Sequence, residues 1–118
     1  MTDRELLEAA AKAAGIEVDF TVFSDGSFIC FQKGGDCFHD EWNPLTDDGD
    51  ALRLFACMPF CELYVSEIGA TVFLPRRGQG EGLNLKCDEY AHETNGDLQA
   101  ATRRAIVRAA AAIGKEMK

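Results

Sequence analysis

The stretch that most constrains the fold is Trp42-Asn43-Pro44-Leu45-Thr46-Asp47-Asp48-Gly49-Asp50-Ala51-Leu52-Arg53-Leu54. It joins a large aromatic of the kind that anchors cores to a proline turn, an acidic helix start and an amphipathic helix. Asn43 precedes a proline and so avoids the α region, which ends any strand there. Thr46 or Asp47 is placed to cap the helix. Asp47, Asp48 and Asp50 crowd its first turn, where carboxylates complement the positive end of the macrodipole. Ala51, Leu52, Phe55 and Met58 form its apolar face, and Pro59 stops it, which predicts a helix near 47–58. Capping accounts for the aspartates better than calcium does. A calcium loop needs oxygen ligands at alternate positions and a later glutamate, and Asp47-Asp48-Gly49-Asp50 lacks that spacing.

The chain before this junction reads as one helix and two or three strands. Thr2-Asp3-Arg4-Glu5 forms a capping box, Leu6, Leu7, Ala10 and Ala14 recur at helical spacing, and Gly15 suits a left-handed terminus, which predicts a helix over 3–14. Val18 to Phe23 and Ser27 to Phe31 are β-branched and aromatic runs around the turn Ser24-Asp25-Gly26. A second turn at Lys33-Gly34-Gly35-Asp36 leads to a short strand at Cys37-Phe38-His39.

After the junction, Glu62 to Ser66 and Ala70 to Leu74 alternate around a turn at Glu67-Ile68-Gly69, and Leu83 to Asp88 alternates again. Between the last two lies the glycine-rich segment Pro75-Arg76-Arg77-Gly78-Gln79-Gly80-Glu81-Gly82. Phosphate-binding loops connect a strand to a helix, whereas this one connects two strands, so it reads as a hairpin tip. Asn95 or Gly96 is expected to cap a last helix from Leu98, with Asp97 in its first turn. Leu98, Ala101, Ala105, Ile106, Ala109 and Ile113 form one face of that helix, and Arg103, Arg104 and Arg108 much of the other. The predicted order is α-β-β-(β)-α-β-β-β-α. This is an α+β fold with a mostly antiparallel sheet of four to six strands and three helices packed on it.

At 118 residues the chain is expected to form a single domain, residues 1–118. No apolar run approaches a bilayer-spanning length, and Met1-Thr2-Asp3-Arg4-Glu5 lacks the features of a secretory signal, so a cytoplasmic location is expected. Five cysteines at irregular spacing (Cys30, Cys37, Cys57, Cys61, Cys87) fit reduced thiols rather than a disulfide framework. The net charge of −8 argues against direct nucleic-acid binding. The charge is also unevenly placed. Asp36, Asp40, Glu41, Asp47, Asp48 and Asp50 lie in a segment without Lys or Arg, whereas the last helix is basic.

Catalytic constellations are weak. No Gly-x-Ser-x-Gly elbow occurs, Ser24, Ser27 and Ser66 sit at turns, and Cys37 with His39 is a pair without a third partner. Cys57-x₃-Cys61 is interrupted by Pro59 and has no matching second pair, so a zinc site drawn from the cysteines, His39 and His92 is disfavoured. No enzymatic activity, cofactor or metal is expected.

Three stretches resemble a family of small bacteriophage- and prophage-encoded proteins with a phage α-β-α sandwich domain. They are Trp42 to Leu54, Gly96-Asp97 with Ala100 to Ala110, and Met1 to Gly15, together covering the three helices and about half of the chain. The strands match least, and Phe55-Ala56-Cys57-Met58-Pro59 departs from the aliphatic run usual in the family. The resemblance implies a phage origin and a sheet between helices, and no residue-level activity. With the acidic run it suggests an accessory factor that binds and inhibits a host defence complex, as anti-CRISPR proteins do. Asp36, Asp40, Glu41, Asp47, Asp48 and Asp50 would present carboxylates to a basic groove of a CRISPR-Cas or other nucleic-acid-handling complex. The alternative is a phage structural or regulatory module that oligomerises or binds a phage partner. Monomer and small homo-oligomer both remain open.

Overall fold

The computed structural model describes residues 2–32, 40–58, 61–74, 85–90 and 96–116. The expected turn at Lys33 to Asp36, the strand at Cys37 to His39, the glycine-rich segment and the cap at Asn95 lie outside these residues. Among the described residues, three helices and six short strands make the expected α+β fold. The order is α1 (Asp3–Ala14), β1 (Val18–Val22), β2 (Phe28–Gln32), β3 (Asp40–Glu41), α2 (Asp48–Ala56), β4 (Glu62–Ser66), β5 (Gly69–Leu74), β6 (Leu85–Tyr90) and α3 (Leu98–Glu116). All pairings are antiparallel, and the strands divide into two sheets ordered β1-β2-β3 and β4-β5-β6.

Local chemistry sets the ends of the elements. The Thr2 hydroxyl accepts the Glu5 N–H at 3.2 Å and opens α1. Gly15 closes it at φ 73°, a conformation that costs glycine little, and the Ile16 N–H returns to the Ala11 carbonyl at 2.9 Å. The β1–β2 hairpin turns through Ser24-Asp25-Gly26, where the Asp25 carboxylate accepts both the backbone N–H and the hydroxyl of Ser27. Those bonds hold the Asp25 carboxyl below its ordinary value.

Asp47, rather than Thr46, caps α2, its carboxylate accepting the Asp50 N–H at 2.8 Å. The helix ends at Ala56, short of the expected residue 58, because the N–H groups of Cys57 and Met58 already fold back to the carbonyls of Leu54 and Phe55. Asp97 is itself the cap of α3, accepting the Ala100 N–H at 3.0 Å, rather than Gly96. Gly96 instead turns the chain at φ 80° just before it.

Helix α3 packs against α1, α2, β5 and β6. Ala101, Ala105, Ile106 and Ala109 of its predicted apolar face are buried and Leu98 and Ile113 partly buried, but Val107, Ala110 and Ala111 are buried too, because elements enclose the helix on several sides. Leu6, Leu7, Ala10 and Ala11 of α1 join the same core, with Trp42, Leu54, Met58, Ala70 and Val72. The β1-β2-β3 sheet reaches this core through buried Cys30 and the partly buried Val18, Phe20 and Phe28. The Arg4 guanidinium of α1 lies 5.6 Å over the Phe20 ring.

The arginines of α3 are tied to the rest of the molecule. Arg103 donates to the Leu45 carbonyl at 2.9 Å and pairs with Asp48 at 2.6 Å. Arg104 pairs with Asp3 at 3.2 Å and with Glu89 at 3.0 Å. Arg108 also pairs with Glu89 and donates to the Asp88 carbonyl. The basic face of α3 thus neutralises acids from α1, α2 and β6.

Candidate protein-binding face

The acids of the run have different settings among the described residues. Asp36 lies outside them, and Asp40 is placed only as a backbone position in β3. Asp50 is 8% exposed: one oxygen accepts the Asn43 N–H at 2.9 Å and the other meets Arg53 at 2.6 Å. It stitches the start of α2 to the loop before it. Asp47 is occupied as the helix cap and Asp48 by Arg103. The three α2 aspartates therefore hold the junction together, which is the capping role their spacing suggests.

Glu41 is placed differently. It is exposed on β3, and the register sets it in one row with Phe31 of β2 and Asp19 of β1. Directly paired residues of antiparallel strands project on the same side, so the row presents acid, aromatic, acid on one face. Two positions along, Thr21 pairs with Ile29 on that face, and Phe23 continues the alternation beyond β1. Ile29 is 38% exposed and Phe23 45%, while Phe31 is partly buried. The opposite face carries Phe20 and Cys30 toward the core. The result is an apolar stripe of Phe23, Ile29 and Phe31 rimmed by the exposed carboxylates Asp19 and Glu41. Alternation along Asp19, Thr21 and Phe23 hints at this face in the sequence, but the row itself requires the three-strand register.

Cys30, beneath this face, reports the local field. Its thiol is pushed up to about 12, first by burial and then by Glu8, Asp19, Asp50 and Glu41. These carboxylates come from α1, β1, α2 and β3, so the negative charge belongs to the assembled surface. At about pH 8 a disulfide reagent is expected to modify exposed Cys57 and spare Cys30, because only a thiolate reacts. Mass spectrometry of labelled peptides reads the outcome. As pH rises from the ordinary thiol value of 9.0 toward about 12, the unfolded chain loses a proton that folded Cys30 keeps, so stability falls across that window.

Among the described residues, no group of three or more His, Cys, Asp or Glu side chains is placed to hold a metal ion. Cys37, His39 and His92 lie outside those residues. Among the described residues, no helix is long and apolar enough to cross a membrane. Compared with known protein families, with curated proteins and with solved structures, the chain finds no match.

Proposed function

We propose that this is a small acidic binding protein, without enzymatic activity, that docks on a basic protein surface. The observation that carries the reading is the Asp19–Phe31–Glu41 row with exposed Ile29 and Phe23 beside it. Apolar and aromatic side chains at the centre supply contact area, and carboxylates at the rim steer a positively charged partner. The net charge of −8 extends that steering over the whole molecule. The resemblance of the three helices to phage-encoded proteins supports a more specific reading. The partner is a nucleic-acid-handling host defence complex in the cytoplasm, whose phosphate-binding groove the carboxylates occupy in the manner of an anti-CRISPR protein.

A pull-down from host lysate with mass spectrometry tests this, paired with the double variant Asp19→Lys, Glu41→Lys. The expected result is capture of a Cas or other nucleic-acid-handling complex. Affinity should fall about tenfold or more in the double variant and also with added salt. The proposal fails if no such complex is retained, or if phage lacking the protein plate equally well on defended hosts. Capture of a phage protein alone, or an oligomer in light scattering that survives the charge reversal, would favour a phage structural or regulatory module instead.

A further inference from the structure

Among the described residues the two sheets end in four edge strands, β1, β3, β4 and β6. An open edge presents a row of backbone N–H and C=O groups with which another strand can pair, and folded proteins usually blunt it. Three of these edges are blunted. β3 has only two residues. On β1 the Phe20 N–H is taken by the Asp19 carboxylate at 2.9 Å. On β6, which carries Lys86, Asp88 and Glu89, Arg108 donates to the Asp88 carbonyl at 3.0 Å.

β4 is the exception. Glu62-Leu63-Tyr64-Val65-Ser66 holds no proline or lysine, and its one charge sits at the end. Ser66 pairs with Gly69 across a two-residue turn, so these two exchange backbone bonds. Alternation then points the N–H and C=O groups of Leu63 and Val65 away from β5. Among the described residues no strand pairs with that edge and no side chain bonds those groups. Leu63 and Val65 stand opposite buried Val72 and Ala70, so both project on the core side of the sheet. Leu63 is partly buried there, but Val65 is 51% exposed. The apolar layer runs out at the edge uncovered.

We propose that a second copy of this chain covers the edge, its β4 adding antiparallel to the first about a two-fold axis at Tyr64. In that register the strand is complementary to itself. Leu63 faces Val65 of the second copy and Val65 faces its Leu63, so the outward groups exchange hydrogen bonds and the apolar layer becomes continuous. Glu62 faces Ser66, so no like charges are opposed. The two Glu62 residues lie four positions apart along the strands, about 13 Å, beyond the roughly 8 Å screening length at physiological salt. A five-residue edge is small against the roughly 1,200–2,000 Å² that stable interfaces bury, so the dimer is weak and depends on concentration.

Sedimentation velocity of the intact protein, from about 10 µM to about 1 mM, reads the association. A monomer is expected to pass into a dimer, more readily with added salt because each copy carries a net charge of −8. Binding of a basic partner through the Asp19–Phe31–Glu41 face weakens with salt instead. Val65→Lys should weaken the dimer about tenfold or more, since a two-fold contact feels each substitution twice. The lysine lowers the negative charge, so added repulsion cannot be the cause, and Val65→Ile should keep the dimer. Circular dichroism confirms that each variant is folded. Hydrogen exchange of the unsubstituted protein is a second readout, with the Leu63 and Val65 amides expected to exchange more slowly at the higher concentration. A monomer throughout, a dimer that folded Val65→Lys leaves intact, or unchanged exchange at Leu63 and Val65 would overturn the proposal. The Asp19 and Glu41 reversal leaves this dimer intact and Val65→Lys leaves partner capture intact, so the two proposals fail separately. An oligomer that Val65→Lys abolishes is this contact, and only one that survives it points to a phage module.

Discussion

Replacing Trp42 by alanine is expected to destabilise the protein by about 3–5 kcal/mol, the range for truncating a large buried aromatic. Trp42 is 4% exposed and belongs to the central core. Its backbone N–H also donates to the Cys30 carbonyl at 2.9 Å, joining this residue to the β1-β2-β3 sheet. The following residues depend on the same anchor. The Asn43 carboxamide accepts the Leu45 N–H, the Asn43 carbonyl accepts the Asp47 N–H, and Pro44 is fully buried. Small domains are stable by only about 5–15 kcal/mol, so the loss is a large share of the total. Chemical denaturation followed by far-UV circular dichroism measures it, since the variant removes the one tryptophan that fluorescence would follow. Trp42→Phe should recover most of the loss, and a cost below about 1 kcal/mol for Trp42→Ala would contradict the anchoring role.

Gly114→Ala is the second large effect, and local propensity predicts the opposite sign. Inside an exposed helix, alanine in place of glycine gains about 1 kcal/mol. In α3 a Cβ at position 114 would fall on the backbone of Ala9, well inside contact distance of its carbonyl oxygen. Backbone cannot rotate away as a flexible side chain does, so α1 and α3 must separate along a seam of small residues. Overpacking of this kind costs about 1–3 kcal/mol and sometimes more, so we expect a net loss of about 2 kcal/mol. For a domain of this size that lowers the midpoint of thermal unfolding by roughly 8–12 °C. A neutral or stabilising result would mean that the helices part at little cost.

Short-range structure was legible because its causes are short-range. Thr2 and Glu5 lie within one turn, and Gly15 closes α1 through bonds to residues only three to five positions away. The same holds for the hairpin turn at Asp25 and the cap at Asp47. The cap of α3 falls at Asp97, one residue beyond the expected Gly96, because adjacent residues both offer cap chemistry. The backbone geometry selects Asp97. Burial of Val107, Ala110 and Ala111 was not legible either, since a single apolar stripe gives no sign that α3 is enclosed by two other helices and a sheet.

Charge was the hardest feature to read. In the sequence Asp36 to Asp50 is one acidic run, and Arg103, Arg104 and Arg108 one basic helix face. The fold brings Arg103 to Asp48, and Arg104 and Arg108 to Glu89, across separations of 55, 15 and 19 residues. It also gives Asp47 and Asp50 local bonds at the start of α2. The Asp47 and Asp48 side chains stay 57% and 68% exposed beside these partners, and Glu41 is exposed in a row with Asp19 through β2. Trp42 to Leu54 is thus chiefly a structural junction, while the acidic face proposed for the partner lies on the sheet that precedes it.

Sequence alone determined the α+β class, the three helices, the hairpins and the acid-rich character, because periodicity, caps and turn residues act over a few positions. Tertiary structure decided which charges are consumed internally, why residue 114 is glycine, and which side chains share a face. Those outcomes depend on strand register and helix contact between residues far apart in the chain, where no local preference acts.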